Sequence, residues 1–400
     1  MTPTQERLYA VAQWSMLLSA ASVVLSIAVC HLLLGVALIA LVASDAPLRL
    51  PPVKWPLAVF LGWTLVSMAM SADPGSGLPQ VRKIYAYSVL LVASSVLLEA
   101  KHARWLAGGW FVAAALSALK SLVQFWRKVE EAGARGEDFY QFYVGERITG
   151  FLSHWMTFGG VGMMVLLVLL SVLFFAPGLG RRERWLGWLG VVVLVASLLV
   201  SFTRGIWLAT VVAGVYLVWE WRKKLLWGAP VAVAVVLVAA PGAVKRRLES
   251  MTTARGDSSA AARIIMWRTG WRMIQAHPLL GVGPQQVGPQ FRRYMPADVR
   301  ELPPAFYEHL HSLYIHYAAE RGLPAVAAIL WLLGMVLWDH LRALRSGLSG
   351  DNRFIVQAVV AVTIAVVVEG FFELNLGDSE VLTVFLTTVS LGYTAIGREG

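Results

Sequence analysis

Charged residues are scarce in this sequence. Only 14% of its 400 residues are Asp, Glu, Lys or Arg, whereas 58% are hydrophobic and the mean hydropathy is +0.64. A soluble domain carries about 25% charged residues, so this chain has too few to cover a water-facing surface. It is expected to use lipid as its solvent, which favours helices that satisfy their own backbone hydrogen bonds.

The sequence has a single cysteine and lacks two catalytic motifs. Cys30 is the single cysteine and lies in an apolar run, so no internal disulfide can form. The sequence holds no Asp-x-Asp pair, with which many glycosyltransferases hold a divalent ion, and no Gly-x-Ser-x-Gly nucleophile motif. A carboxylate-bound metal ion and a catalytic serine are therefore both disfavoured.

What the sequence has instead is a series of long apolar runs, which predict an all-α polytopic protein of about twelve transmembrane helices in one domain, 1–400. The runs are 8–26, 28–44, 55–72, 84–99, 105–125, 155–176, 185–202, 205–221, 225–240, 312–338, 354–371 and 379–396. Gly322 and Pro324 interrupt the tenth, so residues 311–321 are expected to form a separate short helix. Most Lys and Arg of the short loops fall on the side of the two termini, which predicts that both termini are cytoplasmic.

Two segments on the opposite side are longer than turns, at 126–154 and 241–311. The second is rich in Lys and Arg, and long loops escape the positive-inside rule, so its charge is available for function. Most of the net charge of +10 is attributed to positive-inside loops, and no nucleic acid is expected. Residues 261–276 predict an amphipathic helix at the membrane surface, with Ile264, Trp267, Trp271 and Ile274 on one face.

Arg204 is the most distinctive single residue, because apolar sequence flanks it on both sides near the outer ends of two spans. An arginine near membrane depth is costly and usually has a partner. It is either an interfacial arginine whose guanidinium reaches the headgroups or part of an anion site. The planar guanidinium of an arginine can donate two parallel hydrogen bonds to a phosphate, and lipid-linked phosphates are the anions available at that face of the membrane.

His311 is the candidate general base, since histidine titrates near neutral pH. The alternatives are a polar helix start capped by Ser312 and a metal site, although His309, His311 and His316 lack the spacing of known zinc helices. The predicted topology places Arg204, Arg147, Arg263, His309 and His311 on one side of the membrane, where they are able to converge.

Three stretches together resemble the O-antigen ligase family, which includes O-antigen polymerases and pilin oligosaccharyltransferases. They are Ser201-Phe-Thr-Arg204-Gly-Ile-Trp207; Arg263-Ile-Ile-Met-Trp267 followed by His277-Pro-Leu-Leu-Gly-Val-Gly283; and His309-Leu-His311-Ser312 followed by Glu320-Arg-Gly322. Arg147-Ile-Thr-Gly150 resembles the family's Arg-x-x-Gly stretch. The chain departs at Thr203, where the family has Ser, and at Ser312, where it usually has Asn.

The resemblance implies a GT-C-like helical bundle in the bacterial inner membrane with a periplasmic active site and no cofactor. A glycan would move from undecaprenyl diphosphate to a sugar hydroxyl of lipid A–core. Arg204 and Arg263 would bind the diphosphate, with Arg147 and His309 as further contacts, and His311 would take the acceptor proton. Without a carboxylate pair, we expect metal-independent, inverting transfer.

Two alternatives stay open within the family, an O-antigen polymerase and a protein O-oligosaccharyltransferase, because their motifs are nearly shared. A transporter of lipid-linked glycans is a third, but transporters place charged or broken helices near the bilayer midplane. A purely structural role in the membrane would not explain why Arg204 lies among apolar residues or why the long outer loop is basic.

Overall fold

The computed structural model describes residues 1–228, 242, 245–246, 258–303, 305 and 307–397. Within that part of the chain every regular element is a helix and none is a strand. The α-helices are α1 Pro3–Ser22, α2 Ile27–Ala43, α3 Lys54–Ala69, α4 Leu78–Val96, α5 Ala100–Arg135, α6 Phe139–Gly145, α7 Trp155–Phe175, α8 Arg181–Val200, α9 Arg204–Arg222, α10 Ser258–Ala276, α11 Val287–Tyr294, α12 Leu313–Arg321, α13 Leu323–Arg345, α14 Gly350–Glu369 and α15 Ser379–Ala395.

The apolar runs of the sequence coincide with helices wherever the structure describes them. Among the described helices, five are long and apolar enough to cross a bilayer (α5, α7, α8, α13 and α14), and α2 is a shorter apolar helix. The protein is therefore a helical membrane protein. The number of twelve spans stays a prediction, and most of the run at 225–240 lies outside the described residues.

Helices α7 and α14 are both largely buried and lie at the centre of the bundle. Helix α14 packs against α7, α9, α13 and α15, with valine and alanine along most of its length. Helix α7 approaches its neighbours through glycines: a Cβ on Gly159 would lie 3.0 Å from Ile206 of α9, and one on Gly160 3.1 Å from Val381 of α15. Small residues let membrane helices approach this closely, and here they bring the first turns of α9 and α15 beside α7.

The helix boundaries add detail to one predicted segment and confirm another expectation. Within residues 126–154, whose position outside the membrane stays a prediction, α5 runs on to Arg135 before ending at Gly136, whose φ of +65° suits a left-handed cap. Glu131 pairs with Arg135 one turn on, which supports this extension. The tenth predicted span is split at Gly322, as its sequence indicated.

Helix α10 has the predicted extent. Ile264 and Trp271 of the predicted apolar face are exposed, at 53% and 60%, while Met266 and Met273 are buried. A second apolar face, which the sequence analysis did not name, carries these methionines and packs on α12. Contact of the exposed Ile264 and Trp271 face with lipid stays a prediction.

Two glycine turns lock the segment after α10 onto the end of α12. Gly281 and Gly322 have φ of +66° and +86°. A Cβ on Gly281 would lie 2.3 Å from the backbone of Glu320, and one on Gly322 1.8 Å from the carbonyl oxygen of Leu279. Only glycine allows both the backbone angle and the close approach, so these glycines fix α10 relative to α12.

Candidate active site

A cavity of about 1130 Å³ opens at one end of the bundle. The starts of α4, α7, α9 and α15 surround it, together with α6, α10, Ala305, the segment 308–311 and the segment 369–374. The five residues singled out in the sequence all line this cavity: Arg147, Arg204, Arg263, His309 and His311. They therefore converge, and the volume exceeds the range of about 300–1,000 Å³ typical of small-molecule sites.

Arg204 is the first residue of α9, immediately after a strained turn. Phe202 has a φ of +55°, and its buried ring packs edge-on against Tyr143 at 4.9 Å. Thr203, at the cap position, donates its hydroxyl to Ser201 and makes no side-chain cap. The first amides of α9 thus start at the cavity wall without a side-chain cap, and a helix N-terminus in this state favours an anion.

The other two arginines reach the same cavity from different elements. Arg147 follows α6; it donates to the carbonyl oxygen of Val144 at 3.1 Å, and its guanidinium lies 5.3 Å from the ring centre of Trp155. Arg263 lies on the first turns of α10 and is half-buried. Its charge is near enough to help lower the pKa of Glu373. Three cationic side chains thus share one cavity.

His311 is paired with a carboxylate that the sequence analysis did not single out. Its Nδ1 lies 2.8 Å from Oε2 of Glu373, in the turn after α14. Burial would raise the pKa of Glu373, but the hydrogen bond from His311 and the charges of His311, His309 and Arg263 lower it to about 2. Glu373 is therefore a carboxylate at neutral pH.

His309 packs beside His311, with ring centres 4.1 Å apart. Its Nδ1 accepts the backbone N–H of His311 at 3.3 Å. Burial lowers the pKa of His309 to about 3, against the opposing charge of Glu373, and the ring is neutral. The 3.6 Å approach of its Nδ1 to Glu373 is consequently not an ion pair at neutral pH. The expectation that His309 contacts phosphate stays a prediction.

Among the described residues, His309, His311 and Glu373 are the group whose ligand atoms could hold a metal ion, all within 4.8 Å of one another. Two imidazoles and a carboxylate suit zinc. In the present arrangement both Nδ1 atoms already have hydrogen-bond partners, a backbone amide and a carboxylate. Hydrogen bonds within the protein thus already occupy both Nδ1 atoms. The alternative, a bound metal ion, is tested with EDTA and added zinc.

Two further residues of the cavity were missed. Glu373 gives no signal in the sequence beyond being an acidic residue in a short turn between two apolar runs. Lys83 of α4 also lines the cavity, and its Nζ donates to the carbonyl oxygen of Gly377 at 2.9 Å. Sequence reasoning placed Lys83 in a short outer loop because its apolar run was taken to begin at residue 84.

Comparison with known families identifies the segment that carries most of these residues. Residues 189–330 match the family model described as O-antigen ligase. This segment belongs to the O-antigen ligase family. The resemblance carried by the sequence motifs is thereby confirmed. The match contains Arg204, Arg263, His309 and His311, whereas Arg147 and Glu373 lie outside it. No curated protein matched the chain.

The match of residues 189–330 to the O-antigen ligase family agrees with the cavity. A membrane glycosyltransferase of the ligase and polymerase type needs cations for an anionic leaving group and a base for an acceptor hydroxyl. The cavity brings arginines and a histidine–carboxylate pair together at the ends of membrane helices.

Proposed function

We propose that this protein transfers a glycan from undecaprenyl diphosphate to a sugar hydroxyl of lipid A–core, on the periplasmic face of the bacterial inner membrane. The observation that carries the proposal is the convergence of Arg204, Arg263 and His311 on one cavity. The GT-C-like architecture and cytoplasmic placement of both termini belong to the same proposal.

The arginines would hold the diphosphate. Arg204 and the start of α9 supply a guanidinium and uncapped amides, and Arg263 supplies a second guanidinium from α10. Arg147 would add a weaker contact, since its Nε already donates to a backbone carbonyl. As the bond to the anomeric carbon breaks, negative charge grows on the diphosphate, and fixed cations stabilise it without a metal ion.

The histidine would activate the acceptor. Since Glu373 holds Nδ1 of His311, Nε2 is the nitrogen that would take the proton from the sugar hydroxyl. The acceptor oxygen then attacks the anomeric carbon as the diphosphate leaves with the bonding electron pair. A single displacement inverts the configuration at that carbon. A product that retains the donor's configuration would contradict this mechanism.

The acceptor distinguishes this proposal from its alternatives. Purified protein in lipid vesicles would receive a labelled glycan on undecaprenyl diphosphate together with lipid A–core, a second lipid-linked repeat unit, or pilin. We expect label on lipid A–core. Transfer to the repeat unit or to pilin instead would establish a polymerase or a protein oligosaccharyltransferase. Movement of the donor across the bilayer without transfer would establish a transporter.

A further inference from the structure

The backbone around His311 is tied to the turn after α14. The N–H of Leu313 donates to the carbonyl oxygen of Gly370 at 2.7 Å. Three residues after His311 a second hydrogen bond reinforces this connection, because the hydroxyl of Tyr314 donates to the carbonyl oxygen of Val367, near the end of α14, at 2.8 Å. His311 and Glu373 therefore face each other from segments that are hydrogen-bonded together.

The contact between these two side chains fixes the tautomer of the histidine. An ionised carboxylate only accepts hydrogen bonds. With Glu373 ionised, the 2.8 Å contact requires a proton on Nδ1 of His311. The neutral ring then carries its lone pair on Nε2, which is the form that a general base needs. Because His311 lines the cavity, the ring that carries this unprotonated Nε2 lies at the cavity wall.

His309 holds the backbone of His311 rather than its ring. His311 has a φ of +45°, in the left-handed region that a non-glycine residue rarely adopts. The hydrogen bond from its N–H to Nδ1 of His309 stabilises this turn. Strain of this kind persists where the surrounding structure holds it, and it clusters at functional sites.

We propose that Glu373 and His309 are positioning residues for the base His311. Glu373 holds the imidazole in one tautomer and stabilises the imidazolium that forms when His311 accepts the hydroxyl proton. His309 holds the backbone turn that presents the ring. This inference rests on the proposed function, because it needs a proton transfer from an acceptor hydroxyl to His311. The same division of roles between a base and its orienting carboxylate occurs in hydrolytic triads.

The test measures transfer from the labelled lipid-linked donor by purified wild type and by Glu373→Gln, Glu373→Asp and His309→Asn. For Glu373→Gln we expect kcat to fall by about 10²–10⁴-fold, the range of general-base contributions, with KM for the donor little changed. Glu373→Asp should restore part of kcat, because it returns the charge. Glu131→Gln is the matched control, since Glu131 lies outside the cavity lining and makes partly exposed ion pairs with Lys128 and Arg135.

The pH profile gives a readout that a merely structural role would not move. Glu308, Glu369 and Asp378 lie further along the same cavity wall. The charged or titratable groups of the cluster next to His311 are Glu373 itself, Arg263 of α10, His309, His154 at the start of α7, and His316 of α12. Removing the one anion among these neighbours should move the acid limb of the rate profile to lower pH. In Glu131→Gln the acid limb should stay in place.

The outcomes separate the two levels of the proposal. Loss of transfer in His311→Ala with normal kcat and an unmoved acid limb in Glu373→Gln would overturn the positioning role and leave the proposed function intact. Absence of transfer in wild type would overturn the proposed function itself. Full activity in His311→Ala would leave that function standing and overturn the assignment of His311 as the base, and with it the positioning roles of Glu373 and His309. If Glu373→Gln does not fold, His309→Asn carries the test: an unchanged kcat in folded His309→Asn contradicts the positioning role.

Discussion

Removal of one cavity arginine should slow glycan transfer far more than removal of a surface arginine from the same helix. Arg263 and Arg268 both lie on α10, but Arg263 lines the cavity, whereas Arg268 is exposed and pairs with Asp298 at 2.7 Å. In the same way Arg204 begins α9 at the cavity and Arg222 ends it. The chain thus offers two matched pairs.

The expected magnitude follows from the hydrogen bonds that each arginine would make. A hydrogen bond to a charged group contributes about 1.5–3 kcal/mol. Each 1.36 kcal/mol is a factor of ten in rate, so Arg263→Ala and Arg204→Ala should each lower kcat/KM by about 10- to 150-fold. An exposed ion pair is worth about 0–1 kcal/mol, so Arg268→Ala should change kcat/KM by no more than a few-fold.

The assay is initial-rate transfer from the labelled donor by purified variants in vesicles, with the melting temperature of each variant as the control for folding. The double variant of Arg204 and Arg263 adds a check: two arginines that hold one diphosphate should show non-additive effects. If folded Arg204→Ala and Arg263→Ala transferred as fast as Arg268→Ala, the assignment of the arginines to the leaving group would be wrong.

Three further predictions concern the framework of the site. Gly322→Ala should abolish folding, because its Cβ would meet a backbone oxygen at a positive φ. Gly334→Ala, inside the following helix α13, should be tolerated, since nothing outside the backbone of that helix lies within 4 Å of its added Cβ; thermal unfolding in detergent checks both. Gly205→Ala should slow transfer several-fold without unfolding the protein, because its Cβ would lie 3.0 Å from Phe372 and shift the start of α9. Gly214→Ala on the same helix is the control, since its added Cβ meets nothing within 4 Å; an equal effect of the two variants would contradict this prediction. Lowering the pH from 7 towards 4 should destabilise the protein, because burial lowers the pKa of His309 to about 3. Below about pH 6.5 this histidine binds a proton in the unfolded chain but not in the folded chain, which favours unfolding. In His309→Asn the melting temperature should therefore depend less on pH over this range.

The positions of the helices could be predicted from sequence because lipid imposes a length and an apolarity on each span. The split of the tenth run also followed from Gly322, and the end of α10 from Pro278. The end of α5 was missed because its last turns are polar and held by ion pairs, such as that of Glu131 with Arg135, which hydropathy does not register.

The cationic part of the site could also be predicted, whereas its anionic part could not. Arg204 is conspicuous because a charge among apolar residues is costly. Glu373 lies in a turn far along the chain from His311, and only the packing of α12 against the end of α14 brings the two together. The face of α10 that packs on the protein could not be predicted for a similar reason, since Met266 and Trp271 are both apolar and only their neighbours decide which one is buried.

The most direct test of the central claim is transfer of the lipid-linked glycan to lipid A–core by wild type and His311→Ala, each with and without EDTA. We expect wild type to transfer at the same rate in EDTA and folded His311→Ala to transfer no detectable glycan. Normal transfer by His311→Ala would show that this histidine is structural. Loss of wild-type transfer in EDTA, restored by added zinc, would show instead that His309, His311 and Glu373 hold a metal ion.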